Sequence, residues 1–89
     1  MNIKLELFGA SKDLSNKDYL EFNLKKQSTI KDLRNHILKF IDNNFNGNKT
    51  YKNIVSTSAF CSEDNEIINS DYKINKNQTI SIIPPIGGG

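Results

Sequence analysis

One stretch of the chain repeats its apolar residues at helical spacing: Ile30, Leu33, Ile37, Phe40 and Ile41. Residues three and four apart are neighbours on a helix surface, so these side chains form a single apolar stripe on an otherwise polar helix. A lone amphipathic helix cannot bury its own stripe, and this one must pack on another layer. Ser28 or Thr29 is placed to cap its N-terminus, and Asp32 in the first turn suits the positive end of the helix dipole.

The segments on either side supply that layer. Ile3, Leu5 and Leu7 alternate with Lys4, Glu6 and Phe8, and Leu20, Phe22 and Leu24 alternate with Glu21, Asn23 and Lys25. Both have the period of two that marks half-buried strands, and residues 9–17 turn the chain between them into a hairpin. After the helix, residues 42–49 carry the Asn, Asp and Gly of a long loop. Residues 54–61 then read as a strand, β-branched at the start and containing Phe60; a turn at 62–65 leads to a short strand at 66–68, and a turn at 75–78 precedes a final strand at 79–83. This order predicts an α+β domain with one main helix crossing one mixed sheet. If Ile80 and Ile82 face the helix, then Ile83 faces away, as does Phe8 in the first strand. The two make a candidate docking patch on the outer sheet face.

Composition narrows the function classes. The 89 residues, 36% of them apolar, suffice for one modest core, so a single domain spanning 1–89 is expected. No run approaches a membrane span, and the N-terminus lacks the basic-then-apolar order of a signal peptide, so the expected compartment is the cytoplasm, with no membrane partner. Twelve basic and ten acidic residues are scattered without a stripe suited to a phosphate backbone, which argues against a nucleic-acid partner. Cys61 and His36 are each the sole residue of their type, so neither a disulfide nor a thiolate–imidazole metal site is expected.

The end of the chain is the most informative functional feature. An apolar strand runs into Pro84-Pro85-Ile86-Gly87-Gly88-Gly89. Proline cannot donate to a sheet ladder and fixes φ, so the pair ends the strand and holds residues 84–89 away from the body as a flexible tail. Glycine has no Cβ, so the tip fits a channel too narrow for other residues. Either the terminal carboxylate is presented to another protein's active site, or this is an ordinary frayed terminus or an expression scar.

That ending resembles the Pro-Pro-x-x-Gly-Gly terminus of the small subunit of molybdopterin synthase, in the family of ubiquitin-like sulfur carriers. Leu7-Phe8-Gly9-Ala10, closing the first strand, is similar to the corresponding segment of that family. Related carriers for thiamine synthesis and tRNA thiolation end in Gly-Gly but usually lack the double proline. The resemblance implies a β-grasp fold. It also implies that a ubiquitin-activating-type adenylyltransferase uses ATP to adenylate Gly89, that a persulfide converts the adenylate to a thiocarboxylate, and that Gly87 and Gly88 enter the large synthase subunit with the tip. Sulfur then passes to cyclic pyranopterin monophosphate. Phe8, Ile83, Pro84, Pro85 and Ile86 become partner-binding residues, the large subunit a partner in a heterotetramer, and no cofactor is bound permanently. Where the family commonly has Val-Asn, this chain has instead Phe60-Cys61-Ser62-Glu63-Asp64-Asn65, and it ends in three glycines where two are usual.

Other residues are weaker candidates for chemistry. His36 borders the apolar stripe, Cys61 has no basic neighbour in sequence to lower its pKa, and adjacent Glu63 and Asp64 in a turn do not converge on a substrate. A ubiquitin-like modifier joined to target lysines through Gly89, or a plain interaction domain, has the same lack of catalytic groups.

Overall fold

The computed structural model describes residues 1–85, and Ile86, Gly87, Gly88 and Gly89 lie outside the described residues. Its centre is the pairing of the first and last strands. β1 (Asn2–Leu7) lies parallel to β7 (Gln78–Ile83), with Leu5 opposite Ile80 and Leu7 opposite Ile82. β2 (Tyr19–Asn23) extends the sheet antiparallel on the β1 side. On the other side β7 pairs antiparallel with β4 (Ala59–Cys61), which pairs with β5 (Ile67–Ile68). The order β2-β1-β7-β4-β5 is a mixed five-stranded sheet, and with its covering helix it is the ubiquitin-like β-grasp.

The expected helical stripe is the other half of the core. In α1 (Ile30–Asn44), Ile30, Leu33, Ile37 and Ile41 are fully buried together with Ile3, Leu5, Phe60, Ile80 and Ile82. Each such side chain contributes about 1.5–3 kcal/mol of transfer free energy. Phe40, at the edge of the stripe, stays half-buried and packs edge-on against Phe22 of β2, ring centroids 6.1 Å apart.

Thr29 is the cap of α1. Its Oγ1 accepts from the Asp32 amide at 3.2 Å, while Asp32 Oδ2 accepts from the Thr29 amide at 2.9 Å. This reciprocal box satisfies two backbone donors that the first turn leaves free. Short strands β3 (Ser28–Thr29) and β6 (Lys73–Ile74) pair just ahead of it and fix where the helix begins.

Two expectations fail between α1 and β4. Residues 42–49 are not all loop, since α1 continues to Asn44, and residues 54–57 are not strand. They belong to a second helix, α2 (Lys49–Thr57). Asn46 and Gly47 take positive φ and end α1, and Asn48 Oδ1 then accepts from the Tyr51 amide at 3.0 Å to start α2. Ile54, Val55 and Thr57 carry strand propensity, but tertiary burial overrides it: Val55 is fully buried, and both adjacent Ile54 and Tyr51, one turn earlier, are half-buried. Arg34 of α1 closes the far end, its guanidinium donating to the carbonyls of Ser56 (3.3 Å) and Ser58 (3.1 Å) while lying 5.0 Å from the Phe60 ring centroid. The loop at 9–17 likewise has structure of its own, a 3-10 turn (Gly9–Leu14) that buries Ser11 and Leu14.

The backbone and side-chain hydrogen bonds from Thr29 hold the Asp32 carboxyl below its usual range. A depressed native pKa stabilises the fold above the unfolded carboxyl's value, and that contribution disappears as pH falls through the native one. Thr29→Ala removes the N-cap of α1 and costs about 1 kcal/mol in denaturant melts. Asp32→Asn makes stability less steep with pH on the acid side than in the native chain, and equal slopes in the two would rule out this assignment.

Candidate functional site

The parity of β1 and β7 decides which side chains are free for a partner. Leu7 and Ile82 sit opposite one another and point inward, 2% and 0% exposed. Phe8, the extended residue just past β1, and Ile83, the last residue of β7, point the other way and are 41% and 37% exposed. Both apolar side chains thus lie on the face away from α1, where sequence alternation places them.

The ladder stops here for chemical reasons. Pro84 has no amide hydrogen to donate, and the Phe8 amide donates instead to Ser11 Oγ at 3.0 Å. Gly9 follows with φ of 55°, and a Cβ built on it would come within 3.9 Å of the Pro84 ring. That is an ordinary contact distance, so glycine is favoured here by the positive φ of the turn and not by crowding against Pro84. Pro84 is half-buried and Pro85 exposed. Together with Ala10, Thr50, Asn53, Ile54 and Thr57 they line a cleft of about 230 Å³ between the 3-10 turn and α2. Sequence reasoning missed this cleft because it missed α2. The remaining tail positions, Ile86, Gly87, Gly88 and Gly89, lie outside the described residues.

The outer sheet face divides into two halves. Toward β2, Lys4 Nζ stands 4.5 Å and Lys17 Nζ 5.6 Å from the centre of the Tyr19 ring, a charged and mixed surface. Toward β5 it is apolar: Ala59 lies opposite Ile83, and Cys61 lies opposite Ser81 on one side and Ile67 on the other. Ile67 is 75% exposed, more than any other large hydrophobic side chain among the described residues. Sequence reasoning passed over it, since Ile67-Ile68 does not by itself say which isoleucine faces out. The answer comes from β4, where buried Phe60 pairs with Ile68 and so turns Ile67 outward.

The weaker candidates are dispersed. His36 is exposed on α1 with Nδ1 2.9 Å from the Asp32 carbonyl, and Cys61 is a half-buried free thiol on the sheet. Glu63 accepts from the Thr79 amide at 2.8 Å, which ties the β4–β5 turn to the start of β7. Among the described residues, no three His, Cys, Asp or Glu side chains gather to hold a metal ion. No helix among them is long and apolar enough to cross a membrane.

Comparison with known proteins points the same way. A model of the ThiS family matches residues 5–89. SAMP1 from Haloferax volcanii superposes with a TM-score of 0.70 at 9% identity, covering 100% of both chains. A candidate molybdopterin converting factor, subunit 1, from Pyrococcus furiosus superposes with a TM-score of 0.71 at 15% identity, covering 96% of this chain and 98% of the other. At such identities the two structures speak to the fold alone. No curated protein matches the sequence.

The register makes a sharp contrast between adjacent residues. Ile82→Asp removes about 1.5–3 kcal/mol of burial and leaves an unpaired charge between sheet and helix, so it unfolds the domain. Ile83→Asp leaves the melting temperature nearly unchanged. The opposite ranking in thermal melts would mean that β7 is shifted by one residue.

Proposed function

Because the chain belongs to the ThiS family of ubiquitin-like sulfur carriers, we propose that Gly89 is its working end and that it serves molybdopterin synthesis. The observation that carries this reading is the Pro84–Pro85 pair, which ends β7 beside the exposed Phe8 and Ile83. A stiff exit at the edge of an apolar face couples docking of the body to insertion of the tip. The double proline also favours molybdopterin synthase over the thiamine and tRNA-thiolation carriers, and the name of the Pyrococcus furiosus structure agrees with this choice.

The chemistry follows from what a carboxylate lacks. Its charge repels nucleophiles and its oxygen is a poor leaving group, so it must first be activated. Attack on the α-phosphate of ATP, in a ubiquitin-activating-type adenylyltransferase, expels pyrophosphate and leaves a glycyl adenylate. A persulfide sulfur then displaces AMP, and thiol reduction of the resulting acyl disulfide releases the thiocarboxylate. Its soft sulfur is the better nucleophile, and in the large synthase subunit it is transferred to cyclic pyranopterin monophosphate. This chain contributes the carboxylate, the narrow glycine tip and the docking face formed by Phe8, Ile83, Pro84, Pro85 and Ile86. Catalytic side chains belong to the partners, and the two kinds of synthase subunit assemble as a heterotetramer.

Removing Gly89, or adding a residue after it, abolishes sulfur transfer without changing the melting temperature, because the tail contributes little to the core. Gly88→Val fails in the same way, since a branched Cβ restricts φ and widens the tip. Ile83→Asp weakens binding to the large subunit by about 2 kcal/mol. Mass spectrometry of the chain from its native cell decides the class. A gain equal to sulfur replacing oxygen at Gly89 supports the carrier. Gly-Gly remnants on lysines of other proteins, without that gain, replace it with a modifier.

A further inference from the structure

The sheet edge at β2 has bonding capacity that neither the core nor the tail uses. Met1 and Leu24 exchange backbone hydrogen bonds, the N-terminal amino group donating to the Leu24 carbonyl at 2.6 Å and the Leu24 amide to the Met1 carbonyl at 2.8 Å. At the far end of the same ladder the Leu7 amide donates to the Asp18 carbonyl at 2.9 Å. Antiparallel ladders alternate bonded and non-bonded pairs, so Ile3–Phe22 and Leu5–Leu20 are the bonded pairs between those ends. Tyr19, Glu21 and Asn23 therefore turn their amides and carbonyls away from β1, and β2 is the last strand on that side. Among the described residues nothing bonds to these outward groups. The opposite edge, β5, is only two residues long, whereas β2 has five, with neither a proline nor a lysine to blunt it.

Beside that edge runs a groove between β2 and α1. Leu20 and Phe22 share the inner face with their partners Leu5 and Ile3, and Phe22 meets Phe40 of α1. At one end Leu14, Leu20, Phe40 and Phe45 line a depression of about 390 Å³, which Asp13 also borders. At the other, Lys25, His36 and Lys39 line a second depression of about 390 Å³. Asp32 borders this one, but its carboxylate is committed to the cap of α1, and among the described residues neither lysine makes an ion pair. Lys39 and Phe40 adjoin on the helix, so the two depressions form one groove, apolar toward the 3-10 turn and basic toward Lys25.

A second copy of β2 is a poor occupant of this edge. An antiparallel two-fold pairing that satisfies all three outward residues sets Glu21 opposite Glu21, and like charges directly opposite destabilise a sheet. The Glu21 carboxylate is held on the strand by Asn2 Nδ2 at 2.9 Å.

We propose that the β2 edge takes an extended segment of another protein as an added strand, with alternate apolar side chains over Leu20, Phe22 and Phe40 and acidic ones beside Lys25 and Lys39. The outward amides and carbonyls of Tyr19, Glu21 and Asn23 provide attachment. The groove supplies the choice of sequence, because the pleat sets the alternation and the charge difference between Asp13 and the two lysines decides which end of the segment is acidic. β1 separates β2 from β7 by about 10 Å across the sheet, so a segment bound here leaves Phe8, Ile83 and Pro84 accessible. Neither the ladder nor the groove depends on the chemistry of Gly89.

The test is amide hydrogen exchange read by NMR on the full chain, with and without a synthetic peptide of alternating valine and threonine that ends in three aspartates. In the chain alone the amides of Tyr19, Glu21 and Asn23 exchange freely. Saturating peptide slows all three about tenfold, while those of Leu20 and Phe22, already bonded to β1, change little. A ladder strand presents only every second amide to its neighbour, so N-methylating one alternate set of peptide residues abolishes binding and N-methylating the other does not. The double variant K25E/K39E weakens peptide binding about tenfold at 0.1 M salt and not at all at 1 M, where screening removes the attraction. Its thermal melt matches the native chain, because both side chains are exposed. Three results overturn the proposal: no slowing of the Tyr19, Glu21 and Asn23 amides by peptide, equal behaviour of the two N-methylated peptides, or an affinity at 0.1 M salt that the charge reversal does not change. Slowing of the same amides when the chain alone is concentrated overturns it too, and assigns the edge to a second copy.

Discussion

The parallel pairing of β1 with β7 is the constraint on which the rest of this structure depends. Parallel neighbours cannot be joined by a tight turn, so the chain between them must cross over the sheet before it returns. That excursion contains α1, which covers the inner face, and α2, which closes the end near the tail. The pairing also brings Leu7 and Ile82 together inside the core, and so places Phe8, Gly9, Ile83 and Pro84 at one corner of the molecule. A site built from both ends of the sequence therefore owes its existence to a single register. A slip of one residue exchanges the buried and exposed sets of β7 together, so the core is lost and its outward pair with it.

Most of the fold was legible where periodicity is long and unambiguous. The alternation of Ile3, Leu5 and Leu7, the stripe from Ile30 to Ile41, and the inward pair Ile80 and Ile82 all follow from element period, and each is buried as that period requires apart from half-buried Phe40 at the edge of the stripe. Legibility failed where the signal was short or mixed. Residues 49–57 hold Ile54, Val55 and Thr57, which favour a strand in isolation, while the features that make them helical are a cap by Asn48 and clamping of Ser56 and Ser58 by Arg34. The clamp is a contact between residues more than twenty positions apart, and no local reading of propensity contains it. The two-residue strands β3 and β6 were equally hidden, because two residues display no period.

The candidate site was legible in a different proportion. Phe8 and Ile83 follow from strand parity, and the terminal motif from the order of residues 84–89 and its resemblance to the family's ending. The cleft beside Pro84 and Pro85 did not follow, since its far wall is α2. Ile67 was hidden for a subtler reason: its orientation is set by the partner strand, through Phe60 and Ile68, and Phe60 is inward because it pairs with Ile82. Three strands of pairing must be known before one exposed isoleucine can be assigned to a face.

This coupling separates two demands that a small carrier must meet with one sheet. The inner face is specified by burial, where any polar intrusion costs stability, and its residues answer to α1. The outer face contributes little to stability and is free to answer to partners, so apolar residues exposed there carry a different meaning from those in the core. The double proline enforces the boundary between the two. It ends the ladder one residue after the last inward side chain, Ile82. That boundary comes from the missing amide hydrogen of Pro84, while Gly9 beside it takes the positive φ that turns the chain after β1.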